Sequence, residues 1–398
     1  MHHKRFHLII GALVIGVDLF LGSVIQPLGA WINNDLFFMF HKSAIEKHDV
    51  FQYGLKRNYQ PLEKFGPIAS PIFTNSLGFR DNAVRNIKPA SGSDQWLFIG
   101  DSFTYGSGIQ YYGDTFAGRI DRQLPCIDIL NAGVPSYSPA NYFSKVNFYL
   151  GSGLLKVGRV AVFIDISDPY DERERLVNGS GVVERRTEPS SRHALMPTAK
   201  ANKRRPPENV KATLSKANSL RHAKQWLRQH SLTARLVYEM KDMIFSPKPR
   251  SWEFDLDYLR NLGMWTVEND LLRNYAAQGL MRSAQNLSRL AAFLKGRGIP
   301  LTLAVYPWPH QIISDDQNSI QVRYWREWSR RHGATFIDLF PAFFTGQSAQ
   351  ETVGKYFIPG DVHWNEAGHE IIADSFLKLG GAGELLNCPE GSSSHRRK

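Results

Sequence analysis

The stretch QWLFIGDSFTYG, residues 95–106, runs a short apolar segment, Trp96 to Ile99, straight into Gly100, Asp101 and Ser102. An unbroken apolar run of this length, closed by turn residues, reads as a strand buried on both faces, which is the habit of parallel sheets. A serine that directly follows such a strand sits at the carboxyl edge of the sheet, where the next helix turns N–H groups toward developing negative charge. Ser102 is therefore a candidate nucleophile, and a nucleophile in that position needs a base.

Outward from this stretch the same pattern recurs. CIDIL (126–130), GRVAVFID (158–165), IPLTLAV (299–305) and ATFID (334–338) are further apolar, β-branched runs. Helical candidates lie between them: TFAGRIDRQL (115–124), ANYFSKVNFYLGSG (140–153), a long stretch over 269–296, SIQVRYWREWSRRHG (319–333), and a last one after Asn365. Strand alternating with helix predicts an α/β domain, a five-stranded parallel sheet covered by helices on both faces in three layers. The segment IPGDVHWNEAGH (358–369) follows the last strand and opens a helix. It places Asp361 and His363 on a loop at the edge that holds Ser102, so a nucleophile, a base and a carboxylate converge from distant parts of the chain.

The chain has 398 residues, 42% of them hydrophobic, with a formal net charge of +11 and two cysteines. Those figures exclude a disordered chain, a collagen-like polymer and a disulfide-stapled miniprotein. The mean hydropathy of -0.32 excludes a polytopic membrane protein. The charge is local: residues 171–250 hold 18 Lys+Arg against 8 Asp+Glu, a net of +10 out of the +11. A basic module, rather than a body built for nucleic acid, follows from that asymmetry.

Lys4 and Arg5 precede an apolar run from Leu8 to Ile25 and on to Trp31, long enough to cross roughly 30 Å of hydrocarbon. Leu28-Gly29-Ala30 is a poor cleavage site and the run exceeds a signal-peptide core, so an uncleaved signal anchor is preferred to a cleaved peptide. Positive charge ahead of the span places the rest of the chain beyond the membrane. Asp18, costly in lipid, reads either as a contact with another membrane protein or as a tolerated carboxyl in a marginal span. The expected organisation is an anchor (1–31), a linker and entry segment (32–90), an α/β domain (91–170 and 269–380), a basic, mostly helical insertion without strands (171–268), and a tail (381–398). Within the insertion, residues 215–245 carry an amphipathic pattern that suits a lid, a membrane surface or ordinary packing. An oxidising compartment would permit a disulfide between Cys126 and Cys388, but the two make no framework and read better as a buried and an exposed thiol.

GDSFTYG resembles the first block of the SGNH (GDSL) hydrolases, and GDVHWNEAGH is similar to their last. With NSLGFRD (75–81) and VYPWP (305–309), the set most resembles the SGNH-like proteins of bacterial polysaccharide O-acetylation, the alginate O-acetylation type. The resemblance spans roughly residues 70–170 and 265–380. It implies a flavodoxin-like SGNH domain and a membrane-anchored serine esterase or O-acyltransferase acting on acetyl esters of an envelope polysaccharide. Ser102 would be the nucleophile, His363 the base and then acid, and Asp361 the carboxylate that orients the imidazole; the Ser102 N–H would donate to the oxyanion.

Two blocks depart from the family pattern. In the second, Asn131-Ala132-Gly133 is followed by Ser136 where the family has glycine, which leaves a backbone donor. In the third, Ser167 stands where the family has an asparagine, removing a side-chain donor whose loss costs ~10²–10³ in rate. The Ser167 hydroxyl, Asn131 and Arg80 are the substitutes on offer. Asp361 lies two residues before His363, as in the acetylation relatives, rather than three. His369 is a rival base that reads better as a structural or surface histidine, His310 is a candidate lining residue or a loop histidine, and Trp308 and Trp364 are candidates for excluding water and positioning an acceptor.

No cofactor and no metal are expected. Implied partners are an acylated polysaccharide or small ester and a membrane-bound acyl-donor protein, with anionic lipid or acidic glycan at 171–250 and no nucleic acid. The implied location is the inner membrane, single-pass, with a periplasmic catalytic domain. The competing reading is a polysaccharide-binding or assembly factor that keeps the scaffold with weak catalysis.

Overall fold

The run at 95–99 lies inside a sheet. The computed structural model describes residues 16–18, 44–65, 68–88, 95–185, 231, 233 and 262–380. The chain divides into two compact units, one of residues 42–188 with 250–398 and one of 1–41 with 189–249.

In the first unit seven strands form one sheet: β1 (Phe73–Thr74), β2 (Arg80–Asp81), β3 (Gln95–Ile99), β4 (Asp128–Asn131), β5 (Arg159–Ile164), β6 (Leu301–Val305) and β7 (Thr335–Asp338). Their order across the sheet is β7-β6-β5-β3-β4-β2-β1. The five runs read from the sequence supply β3 to β7, all parallel. Two short antiparallel strands extend them, with Arg80 of β2 paired to Asn131 of β4. The sheet is thus mixed and seven-stranded rather than five-stranded and parallel. Part of the segment read as a linker lies along the free side of β4. Every residue of β3 and of β6 is buried, which is why those runs carry no polar alternation.

From β3 the chain crosses to β4 on one side and then to β5 on the other. In open parallel sheets, ligands occupy the crevice beyond the carboxyl ends of the strands at this reversal of order. Ser102, next but two after Ile99, falls there.

Among the described residues the α-helices of four residues or more are α1 (Ser102–Tyr105), α2 (Phe116–Gln123), α3 (Pro139–Gly151), α4 (Asp168–Glu172), α5 (Ala277–Lys295), α6 (Pro309–Ser314), α7 (Ile320–His332), α8 (Ala349–Tyr356) and α9 (Glu366–Leu379). On α5, Leu280, Leu287, Leu290 and Leu294 form one buried stripe, and the helix packs on α3 and α4. A second group pairs α9 with α2. Phe98 of β3, Phe163 of β5, Phe116 of α2 and Phe376 of α9 meet with ring centroids 4.6–6.1 Å apart. Burying rings of this size contributes about 2–3 kcal/mol each, so this knot fastens two helices to the sheet beneath Ser102.

Two expectations change, and Asp18 gains described partners. A hairpin, Arg175–Val177 with Val183–Arg185, stands where no strand was expected, and residues 171–188 belong to the first unit. Cys126 is disulfide-bonded rather than a thiol; the chain has one other cysteine, Cys388. In the second unit the Asp18 carboxylate accepts from Ser231 Oγ at 2.5 Å and from Thr233 N and Oγ1 at 2.9 and 2.7 Å. Asp18 therefore has hydrogen-bond partners on its own chain.

The expected membrane span falls outside the described residues apart from 16–18, and the amphipathic stretch 215–245 apart from 231 and 233. The tail 381–398 falls outside them entirely. Among the described residues no helix is long and apolar enough to cross a membrane.

Candidate active site

Ser102 opens a helix of a single turn. Asp101 caps it, its carboxylate accepting from the Phe103 N–H at 2.9 Å. Gly106 closes it in the left-handed region, φ 87°, where a side chain would be strained and would also meet Thr115 Cγ2 at 2.5 Å. Arg80, 2% exposed, donates to the carbonyls of Tyr105, Gly106 and Ile109 at 2.6–2.8 Å. Its guanidinium holds the end of this turn, so it is not the oxyanion donor that the sequence offered.

His363 Nε2 lies 2.8 Å from Ser102 Oγ, and His363 Nδ1 lies 2.5 Å from Asp361 Oδ1. The same carboxylate oxygen accepts the His363 backbone N–H at 2.9 Å. A spacing of two permits this, because an aspartate readily accepts the N–H of the second residue after it. One turn thus fixes both the imidazole's position and its tautomer, with the proton on Nδ1 and a lone pair facing the hydroxyl. The loop is closed by a bridge between Phe357 and Trp364 and by Asn365, whose side chain caps α9. Burial pulls the Asp361 carboxyl upward, but the hydrogen bonds it accepts from His363 outweigh it, and its pKa sits below the usual range.

The segment 131–136 runs alongside the turn that opens at Ser102. Asn131 donates to the Thr104 carbonyl at 2.7 Å and accepts from the Gly133 N–H at 3.1 Å; fully buried, it is a brace, not a donor to substrate. A Cβ on Gly133 would lie 2.6 Å from Tyr105 N, so only glycine lets the two segments come this close. Ser136 is exposed and adopts φ 60°, a conformation that costs a non-glycine residue about 1 kcal/mol. Its N–H makes no hydrogen bond among the described residues, nor does that of Ser102. Ser167 does not supply the missing side-chain donor. Its hydroxyl and its N–H both donate to Asp165 Oδ1, at 2.6 and 2.7 Å.

Behind Ser102 lies a set of carboxyls that the sequence reading passed over. Asp101, Asp165 and Asp168 are each 4% exposed or less. Burial first, and then their mutual repulsion, push Asp101 and Asp168 well above the carboxylate range. Burial also raises Asp165, against hydrogen bonds from Ser167 and from Trp308 Nε1 at 2.6 Å. Tyr142 donates to Asp168 at 2.9 Å and Tyr306 to Asp101 at 3.3 Å. The signal was available: two of these aspartates sit in DISD, directly after a strand buried from Val160 to Ile164, where charge is hard to solvate.

Trp308 and Trp364, 4% and 0% exposed, form the rear wall rather than an acceptor surface. Phe103 packs between Trp364 and the His363 ring, with centroids 4.7 and 4.8 Å away. His369 is structural: its Nδ1 accepts from the Phe116 N–H at 3.1 Å, and burial keeps it neutral. His310 is buried against Trp308, and burial lowers its pKa to about 4. Lys145, also passed over, is 1% exposed and donates to the Ala132 carbonyl at 3.0 Å. The rings of Phe51, Phe79 and Tyr137 surround its ammonium at 5.1–5.5 Å. Among the described residues no cluster of His, Cys, Asp or Glu is arranged to hold a metal ion.

No family description matches the chain, and no curated protein matches it. Solved structures do. LAE5, an alpha/beta hydrolase from the metagenome of Lake Arreo, is 14% identical, with 74% of this chain and 97% of that one covered at a TM-score of 0.37. Axe2, an acetylxylan esterase from Geobacillus stearothermophilus, is 13% identical over 74% and 97% of the two chains, also at 0.37. A member of the lipolytic protein G-D-S-L family from Veillonella parvula is 11% identical over 72% and 97%, at 0.33.

Proposed function

We propose that the protein is an SGNH-type serine enzyme that cleaves or transfers short acyl esters. The observation that carries this reading is the hydrogen-bonded line Ser102–His363–Asp361 at the sheet's reversal point, with distances of 2.8 and 2.5 Å. Ser102 Oγ attacks the ester carbonyl while His363 Nε2 takes its proton, and Asp361 stabilises the imidazolium that forms. The Ser102 and Ser136 N–H groups receive the oxyanion. His363 then returns the proton to the leaving alcohol, and an incoming hydroxyl, from water or from a sugar, resolves the acyl-enzyme by the same steps in reverse.

The finer reading is an envelope polysaccharide as substrate, with acetyl as the acyl group and a membrane-bound donor protein as partner. It rests on the motifs GDSFTYG, NSLGFRD and GDVHWNEAGH and on the apolar N-terminus. A disulfide at Cys126 supports an oxidising compartment, in keeping with a domain beyond the inner membrane. The alternative, a weakly catalytic glycan-binding factor, draws on Ser167, whose proton is committed to Asp165 and so is not offered to an oxyanion.

The full chain in detergent should release acetate from an aryl acetate and react with a fluorophosphonate at Ser102. Absence of both, or labelling that persists in Ser102→Ala, rejects the enzyme. Offering an acyl donor with and without acetyl-accepting oligosaccharide separates transfer from hydrolysis.

A further inference from the structure

The missing asparagine raises the question of how two backbone donors are held well enough to serve alone. Ser136 N–H belongs to the peptide unit that also carries the Pro135 carbonyl. No peptide bond among the described residues is cis, and in a planar trans unit the N–H and C=O point in opposite directions. Whatever grips the Pro135 oxygen therefore aims the Ser136 N–H.

The Tyr53 hydroxyl does so. Its single proton is shared between the Pro135 and Ser136 carbonyls at 3.1 and 3.0 Å. Arg175 Nη2 donates to the Ser136 carbonyl at 2.6 Å and to the Tyr53 oxygen at 3.5 Å, and its Nη1 donates to Ser138 Oγ at 2.9 Å. Ser138 in turn donates to the buried Glu172 at 2.5 Å. Both carbonyls flanking the strained residue are thus held by side chains from outside its loop. The loop itself is tied to the nucleophile turn by Val134 N to Gly100 O at 3.2 Å and by Asn131.

We infer that Tyr53 and Arg175 are positioning residues that hold Ser136 in its left-handed conformation and aim its N–H at the oxyanion. This rests on the Ser102–His363–Asp361 reading and assigns work to two residues outside every family block. Glycine at this position takes a positive φ freely; here a serine is held there from outside.

The test compares the full-length wild type with Tyr53→Phe and Arg175→Ala on an aryl acetate. A phenylboronic acid, whose tetrahedral adduct puts an oxygen in the oxyanion site, is titrated as inhibitor. Wild-type turnover and Ser102 labelling test the parent reading; the ratios among variants test this one. Expected are falls in kcat of about tenfold for Tyr53→Phe and up to about a hundredfold for Arg175→Ala, with KM within about twofold. The inhibition constant should rise in step with the fall in kcat/KM. Unchanged kcat, or a loss of kcat without weaker boronic acid binding in folded protein, overturns the inference. If Arg175→Ala fails to fold, Tyr53→Phe decides alone, since it removes one hydroxyl and leaves the ring.

Discussion

Asp361 and His363 fasten each other across two residues, whereas Ser136 is held by Tyr53 and Arg175, 83 and 39 residues away. The base side of the site is a local motif that carries its own geometry in a short turn. The Ser136 side is assembled from a loop, the strand Gln52–Leu55 that carries Tyr53, and the hairpin after α4 that carries Arg175. A local device tolerates change elsewhere in the molecule; an assembled one is exposed to every contact that brings its parts together.

The hardest way to break the comparison is on the base side. His363→Ala should lower kcat by about 10⁴ or more while the protein stays folded, because it removes the proton acceptor of Ser102 and leaves only binding and the oxyanion donors. A kinetic loss under tenfold would mean that another group serves as base.

Gly133→Ala acts on the joint between the two sides. Its Cβ would meet Tyr105 N at 2.6 Å and Thr104 Cβ at 2.9 Å, so the loop must move off the nucleophile turn. A stability loss of about 3 kcal/mol by denaturant unfolding, with activity down at least tenfold, is expected.

Lys145 sharpens the comparison through pH, since its ammonium supports the Ala132 carbonyl from within the core. Burial depresses its pKa to about 7, against about 10.4 for the unfolded chain. Between those values the unfolded chain holds a proton that the native protein lacks, so native stability rises with pH there; below pH 7 the burden of the buried charge is fully present. Relative to Lys145→Met, which has no such group, wild-type unfolding free energy should gain about 2 kcal/mol from pH 7 to pH 9. A difference between the two proteins that does not vary with pH would show that the amine keeps its charge, held by the three rings and the carbonyl.

The smallest effect belongs to Ser167→Ala. With the hydroxyl committed to Asp165, kcat should stay within about threefold of wild type; a fall of a hundredfold would restore Ser167 as an oxyanion donor.

Much of this was legible in residues 95–106 and 358–369. The β3 run is buried at all five positions, and its short apolar stretch Trp96–Ile99, closed by Gly100, read as a strand for that reason. β1 and β2 were not legible, because two residues each, one pair being the charged Arg80–Asp81, carry no periodic signal. The hairpin at 175–185 was missed for a similar reason: RLV and VER are short and half polar, inside a stretch whose charge suggested solvent. Asn131, Arg80 and Ser167 are polar residues near the site in sequence, and composition cannot tell a donor aimed at substrate from one spent on a carbonyl or carboxylate.

By itself the sequence determined the parallel core, the place of Ser102 beyond β3, and the pairing of Asp361 with His363. Each follows from a local pattern, an apolar run or a spacing of two, whose physics is complete within a few residues. Only the tertiary structure decided which hydrogen-bond donors remain unspent. A donor's availability depends on what stands opposite it: Ser167 is spent on Asp165 two residues before it, whereas for Ser136 and Arg80 the opposing groups are set by packing rather than by neighbours in the chain.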